Sequence, residues 1–281
     1  MPYVNVRDIE IYYELQGEGP RLLSISGSGG DLRRKPNVFD SPLASEFTIL
    51  AYDQRGLGQT SIPDEPYTMQ DYAEDADALL EAMGWDSCLV TGTSFGGMVG
   101  QEFAARFPQR IERLVLNCTS SGGAGRPSFP LNELLDLVPE QRFRRQLELS
   151  DVRRDAAWQA ANPEHFQHLL DQSLEGAAIG SDNPAKAMGY RRQLEARSQL
   201  DIYDRLPSLS MPVLVCSGKY DGIAPPGNGR RIAAQIPNAR YELFEGGHLF
   251  LFQDETAYPR LIAFLKGELD AAPAARQATH A

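Results

Sequence analysis

Gly92-Thr93-Ser94-Phe95-Gly96 sets one serine among glycines, with the apolar run Cys88-Leu89-Val90 ahead of it and a helix-like pattern directly behind it. A strand before, a helix after and small residues on both sides is the setting in which a serine is held up on a strained corner, because neighbouring backbones pass close there. The competing reading is a glycine-rich packing turn. A serine hydroxyl becomes a useful nucleophile only when a base takes its proton and an acid orients that base.

Four histidines are present. His280 lies in the last residues. His165 and His168 stand three apart on a predicted helix and, with no third ligand evident, read as a solvated face; no metal site is expected. His248 follows Gly246-Gly247 after a predicted strand and precedes the last predicted helix. For the acid, Asp221 in the stretch CSGKYDGIAPP sits just past another buried run. Ser94, Asp221 and His248 thus each fall at the carboxyl end of a predicted strand, the edge where open α/β sheets carry their sites. Their order along the chain is the one expected for nucleophile, acid and base in such an architecture.

Acyl transfer also needs donors for a tetrahedral oxyanion. The backbone N–H of Phe95 is one candidate. The N–H of Ser28, in the Gly27-Ser28-Gly29-Gly30 turn, is the other, and Gly29 beside it is a candidate substrate contact. A dinucleotide loop opening at Gly27 would need glycine where Leu32 stands, and no G-K-[ST] follows. No cofactor is expected.

These residues need a frame. YVNV and IEIYYEL around Arg7-Asp8 alternate as a hairpin does, and RLLSISG, FTILAYD, CLVTG, ERLVLNCTS, MPVLVCSG and ARYELFEGG read as further strands. Between them lie helices, the clearest carrying Met69, Tyr72, Ala73, Ala76, Leu79, Leu80 and Met83 on one face, with Thr68 as N-cap and Asp71 three residues on. Another helix is predicted near Gly229–Gln235, and a last one in RLIAFLKGEL. Strands alternating with helices imply an α/β fold: an open, mostly parallel sheet with helices on both faces. Residues 126–206 hold no convincing strand and are helical in composition. They read as an insertion into a core made of 1–125 and 207–270, with 271–281 as a disordered tail.

The chain has 281 residues, 42% hydrophobic, and a formal charge of −11. That balance argues against a nucleic-acid or anionic-membrane surface, which wants clustered Lys and Arg. The opening residues carry Arg7, Asp8 and Glu10 and lack the apolar core of a signal peptide. No apolar run approaches the roughly 18 residues of a membrane span, so a cytoplasmic protein with a small-molecule substrate is expected. Cys88, Cys118 and Cys216 each sit in an apolar run and read as reduced core thiols.

With GTSFGG, GKYDGIAPP and GGHLF in place, the sequence resembles the α/β-hydrolase superfamily over nearly all of the chain outside the insertion. Within it, the chain is most similar to cofactor-free bacterial enzymes of the 3-oxoadipate enol-lactonase, non-haem perhydrolase and carboxylesterase type. The resemblance implies an eight-stranded sheet, a helical cap formed by the insertion, and hydrolysis of a small ester or lactone through an acyl-enzyme on Ser94. It also implies that Arg55 and the glycines of AYDQRGLGQT shape a turn. Relatives with an aspartate nucleophile are set aside by the serine. Two alternatives stand beside this one: hydrolysis of a carbon–carbon bond in a vinylogous diketone with the same triad, and a ligand receptor that keeps the triad without turnover. For the substrate, Trp158, Met188 and Tyr190 are candidates to line an apolar pocket, with packing inside the cap as the competing reading, and Phe250 is a candidate contact on the leaving-group side. Arg191-Arg192 could meet a carboxylate, but adjacent helical arginines usually face solvent.

Overall fold

Short apolar runs bounded by polar turns are suited to strands covered on both faces. In a computed structural model describing residues 2–269, such runs form β1 (Tyr3–Val6), β2 (Ile9–Gln16), β3 (Arg21–Ile25), β4 (Thr48–Tyr52), β5 (Cys88–Thr93), β6 (Ile111–Asn117), β7 (Val213–Gly218) and β8 (Ala239–Phe244). They make one eight-stranded sheet in the order β1-β2-β4-β3-β5-β6-β7-β8. The β1–β2 and β2–β4 pairs are antiparallel and the rest parallel. The α-helices are α1 (Met69–Ala82), α2 (Phe95–Arg106), α3 (Pro139–Ser150), α4 (Ala156–Ala161), α5 (Pro163–Ala178), α6 (Lys186–Ser198), α7 (Pro226–Gln235), α8 (Phe250–Gln253) and α9 (Ala257–Leu265).

The period of two in each strand sends alternate side chains to opposite faces. Leu23, Val90, Leu114, Leu116, Val213 and Val215 join Leu79, Val99, Phe103 and Ile232 of the helices in one core. Leu22, Leu89, Val115, Leu214 and Cys216 join Leu261 and Phe264 in the other. All three cysteines are buried and free. Thr68 and Asp71 cap α1 reciprocally: Asp71 N–H donates to Thr68 Oγ1 at 3.1 Å and Thr68 N–H to Asp71 Oδ2 at 2.9 Å. Two helix starts differ from the sequence reading. The α7 helix opens at Pro226, where proline's missing N–H costs nothing, and α9 opens at Ala257, with Pro259 tolerated in its first turn for the same reason.

Between β6 and β7 the chain leaves the sheet for α3 to α6, a helical cap. Leu147, Phe166 and Leu170 form a cluster within the cap, with Trp158 packed against it. Leu131, Leu134, Leu149 and Leu194 form a second with Ile223 from the loop after β7, so this cluster joins cap to core. Residues 271–281 lie outside the described part of the chain. Among the described residues, no helix is long and apolar enough to cross a membrane.

The turn after β4 is fixed by charge. Arg55 is 2% exposed; its Nε and Nη2 donate to Asp75 at 2.8 Å each, and Nη1 and Nη2 donate to Asp8 at 2.7 and 2.6 Å. The side-chain bond from Arg55 holds the Asp8 carboxyl down at about 2. Replacing Arg55 with Met leaves the buried Asp75 with Arg7 alone, and removing one member of a buried pair is costly. We expect a loss of about 3 kcal/mol, read as a lower urea midpoint at unchanged slope.

Candidate active site

Sheet order reverses between β3 and β5: after β3 the chain adds β4 on one side, then returns to place β5 on the other. That reversal opens a crevice at the carboxyl ends of the strands, and Ser94 stands at it, between β5 and α2. Its backbone has φ 56° and ψ −114°, a conformation costing a side-chain-bearing residue about 1–3 kcal/mol. Neighbours pin it there. Ser94 N–H donates to Asn117 O at 2.8 Å, while the Ser94 carbonyl accepts from Thr119 Oγ1 at 2.8 Å and from the Gly97 and Met98 amides at 3.0 and 3.2 Å. The glycines are needed for approach. A Cβ on Gly96 would overlap the Ile25 carbonyl, and one on Gly92 the Gly96 carbonyl.

The structure brings Ser94, His248 and Asp221 together across 154 and 27 residues of sequence. His248 Nε2 lies 2.9 Å from Ser94 Oγ, and Nδ1 lies 2.7 Å from Asp221 Oδ2. The other carboxylate oxygen of Asp221 accepts the Ile223 and Ala224 amides at 2.8 and 2.9 Å. Asp221 is buried, and His248 keeps a little access to solvent. His248 N–H donates to Ser150 O at 2.5 Å, tying the histidine loop to the end of α3. Cys118, Asp221 and His248 place donor atoms within 4.8 Å of one another. Asp221 and His248 are already bonded, however, and burial pushes the Cys118 thiol well up. This grouping therefore makes a poor metal site.

Phe95 opens α2, so its N–H has no acceptor within the helix. Its side chain is fully buried, edge-on to Tyr72 at 4.9 Å. The turn after β3 lies alongside: a Cβ on Gly27 would stand 3.5 Å from Ser94 Cβ. Gly29 has φ +69° and donates its N–H to Gln193 Oε1 of α6 at 2.8 Å. The Tyr190 ring reaches within 3.2 Å of where a Gly29 Cβ would be. Gly29 and Tyr190 therefore meet in the turn whose Gly27 abuts Ser94. Met188 is half-buried on α6, two residues before Tyr190.

Two of the sequence candidates lie elsewhere. Phe250 is fully buried and stacks on Phe244 at 5.1 Å in the core beneath α9, so it touches no leaving group. The short helix α8 turns its ring inward, and two-residue spacing from His248 carries no directional information there. Trp158 meets His165 and Phe166 edge-on inside the cap, away from the Tyr190 cluster. His165 and His168 are exposed. Sequence reading missed Thr119 and Gln193. A polar stripe at positions 190, 193 and 197 of a helix was the one available signal for the latter.

The family model for the alpha/beta hydrolase fold matches residues 20–255, and the chain belongs to this family. A poly(3-hydroxyalkanoate) depolymerase from Ectopseudomonas oleovorans is 29% identical over 248 residues, covering 88% of this chain and 84% of the relative. A 3-oxoadipate enol-lactonase 2 from Acinetobacter baylyi is 24% identical over 263 residues, covering 91% and 92%. Among solved structures, the enol-lactonase from Burkholderia xenovorans superposes with a TM-score of 0.72 at 26% identity, over 96% of this chain and 98% of that one.

Proposed function

We propose that the protein is a serine hydrolase that cleaves a small carboxylic ester or lactone through an acyl-enzyme on Ser94. The observation that carries this is the continuous contact from Ser94 Oγ through both ring nitrogens of His248 to Asp221. His248 Nε2 takes the hydroxyl proton as Ser94 Oγ bonds to the substrate carbonyl carbon. The Phe95 and Ser28 amides receive the oxyanion. The intermediate collapses, the leaving oxygen takes the proton from Nε2, and the acyl group stays on the serine. Water, deprotonated by the same nitrogen, then releases the acid. Asp221 holds the ring so that Nε2 is the free base, and Gln193 steadies the turn that presents Ser28. The enol-lactonase and depolymerase names borne by the relatives support an ester or lactone as the bond broken.

A panel of p-nitrophenyl esters and simple lactones, with a fluorophosphonate label, tests the reading. Expected are turnover of at least one short ester or lactone and label on Ser94 that abolishes it. Label without turnover anywhere on a broad panel would overturn the enzyme in favour of a ligand receptor.

A further inference from the structure

Asp53 directly follows β4 and is 1% exposed, yet no cation bonds to it among the described residues. Its partners are N–H groups. Oδ1 accepts the Leu32 amide at 2.8 Å, and Oδ2 accepts the Gln59 amide at 2.9 Å, with Gln59 Nε2 further off at 3.4 Å. Arg55, two residues on, is already taken by Asp8 and Asp75. A carboxylate buried without a cation costs several kcal/mol, and burial pushes Asp53 up to about 6. The fold closes on it all the same: a Cβ on Gly58, at φ +55°, would overlap Asp53 Oδ2.

What these bonds hold is the turn after β3. Leu32 ends the stretch 26–32 that carries Ser28, and the next residue of the β4 loop holds the start of the same stretch. Gln54, fully buried, donates from Nε2 to the Ser26 carbonyl at 2.9 Å and to Ser26 Oγ at 3.2 Å. Between these ends, Gly30 N–H donates to the Gly27 carbonyl at 3.1 Å, and Gly27 abuts Ser94. Asp53 and Gln54 thus grip both ends of the segment whose middle presents the Ser28 amide, while Gln193 holds Gly29 from the cap. Both therefore act on the chemistry through the turn. A donor displaced by 1 Å can cost about a hundredfold in rate.

The charge state of Asp53 decides how complete that grip is. Each of its oxygens is engaged by a backbone N–H, so neither can take a proton without giving up an acceptor. After burial, Asp31 in the same turn adds to the upward push on Asp53, although Asp31 is itself bonded to Arg33 at 2.9 and 2.7 Å. Arg33 and Arg34 lie within electrostatic reach on the turn side, and Tyr12 of β2 on the other. The sign follows: the grip is complete above about 6 and loses an acceptor as the pH falls through that value.

We propose that Asp53 is a positioning residue for the oxyanion turn: as a carboxylate it holds Leu32 and, with Gln54 at Ser26, sets the Ser28 amide against the reacting carbonyl. This rests on the serine-hydrolase reading and adds a second proton-sensitive group to it.

Asp53→Asn keeps the size but offers one acceptor to two amides at every pH. Its kcat on the best ester should lie about tenfold below wild type at pH 8, with KM within about twofold, because oxyanion contacts strengthen in the transition state. The quotient of wild-type to variant kcat cancels the base His248, which both proteins share, so its pH course reports Asp53. It should fall from about tenfold at pH 8 to about twofold at pH 5, with a midpoint near 6. Gln54→Leu releases the other end without a titrating group, and its quotient should stay level. A level quotient for Asp53→Asn, however large, would make Asp53 purely structural and overturn the proposal. Should these variants fail to fold, amide NMR decides. In His248→Ala, where the neighbouring imidazole contributes nothing, the Leu32 and Ser28 amide signals should titrate together with a midpoint near 6. A Ser28 signal that stays still, whether or not Leu32 moves, would overturn the proposal. Absence of turnover on any ester would count against the hydrolase instead, with the amide titration still testing the grip.

Discussion

Replacing Ser94 with Ala should lower kcat on the best ester by at least about 10⁴-fold while leaving the fold unchanged. Alanine keeps the Cβ that makes φ 56° strained, so no backbone relaxation is offered. The bonds that pin the residue, from its N–H to Asn117 and to its carbonyl from Thr119, involve only backbone atoms of residue 94. The change therefore removes the nucleophile and little else. What survives is catalysis by the oxyanion amides and by positioning, which is why the loss is finite. Steady-state rates together with a thermal melt check it: a melt within a few degrees of wild type combined with a rate above a tenth of wild type would move the nucleophile elsewhere.

Asp221→Asn should cost about 10⁴-fold in kcat, and the surroundings say why. One carboxylate oxygen receives two backbone amides, Ile223 and Ala224. An asparagine must leave its carbonyl there, since an amide NH₂ cannot accept those bonds. Its NH₂ group then faces His248 Nδ1, 2.7 Å from the present oxygen, and donates to it. The ring is forced into the tautomer with hydrogen on Nε2, which faces Ser94 Oγ at 2.9 Å and can no longer take its proton. Size and packing barely change, so the loss should fall on kcat, with KM nearly constant. A drop of less than tenfold would mean that Asp221 does not set the tautomer.

The parts readable from sequence are those with local signatures. Ser94 is marked by the glycines that its tight corner requires, Asp221 and His248 by the buried strands that end beside them, and the sheet by alternation within each strand. The capping pair Thr68 and Asp71 is readable for the same reason, being three residues apart. What escaped depends on distant approach. Gln193 reaches Gly29 across 164 residues, and Arg197 reaches Ser128 and Phe129 across 69 and 68. Neither fact leaves a trace in the helix that carries them. Phe250 was misplaced because a four-residue helix can turn a side chain either to the cleft or to the core, and only the stack on Phe244 shows which. Trp158 has cap partners of its own for a similar reason: inside a small helical layer, an aromatic finds its neighbours before it finds a pocket.

The most direct test is to trap the acyl group. With p-nitrophenyl acetate, an activated ester, deacylation should be the slower step of the proposed mechanism, and acid quenching during turnover should preserve the intermediate. Peptide mass mapping should then find an acetyl group on Ser94 in the wild-type protein and none in Ser94→Ala. Turnover that leaves Ser94 unmodified, or that places the acetyl group on another side chain, would contradict the account.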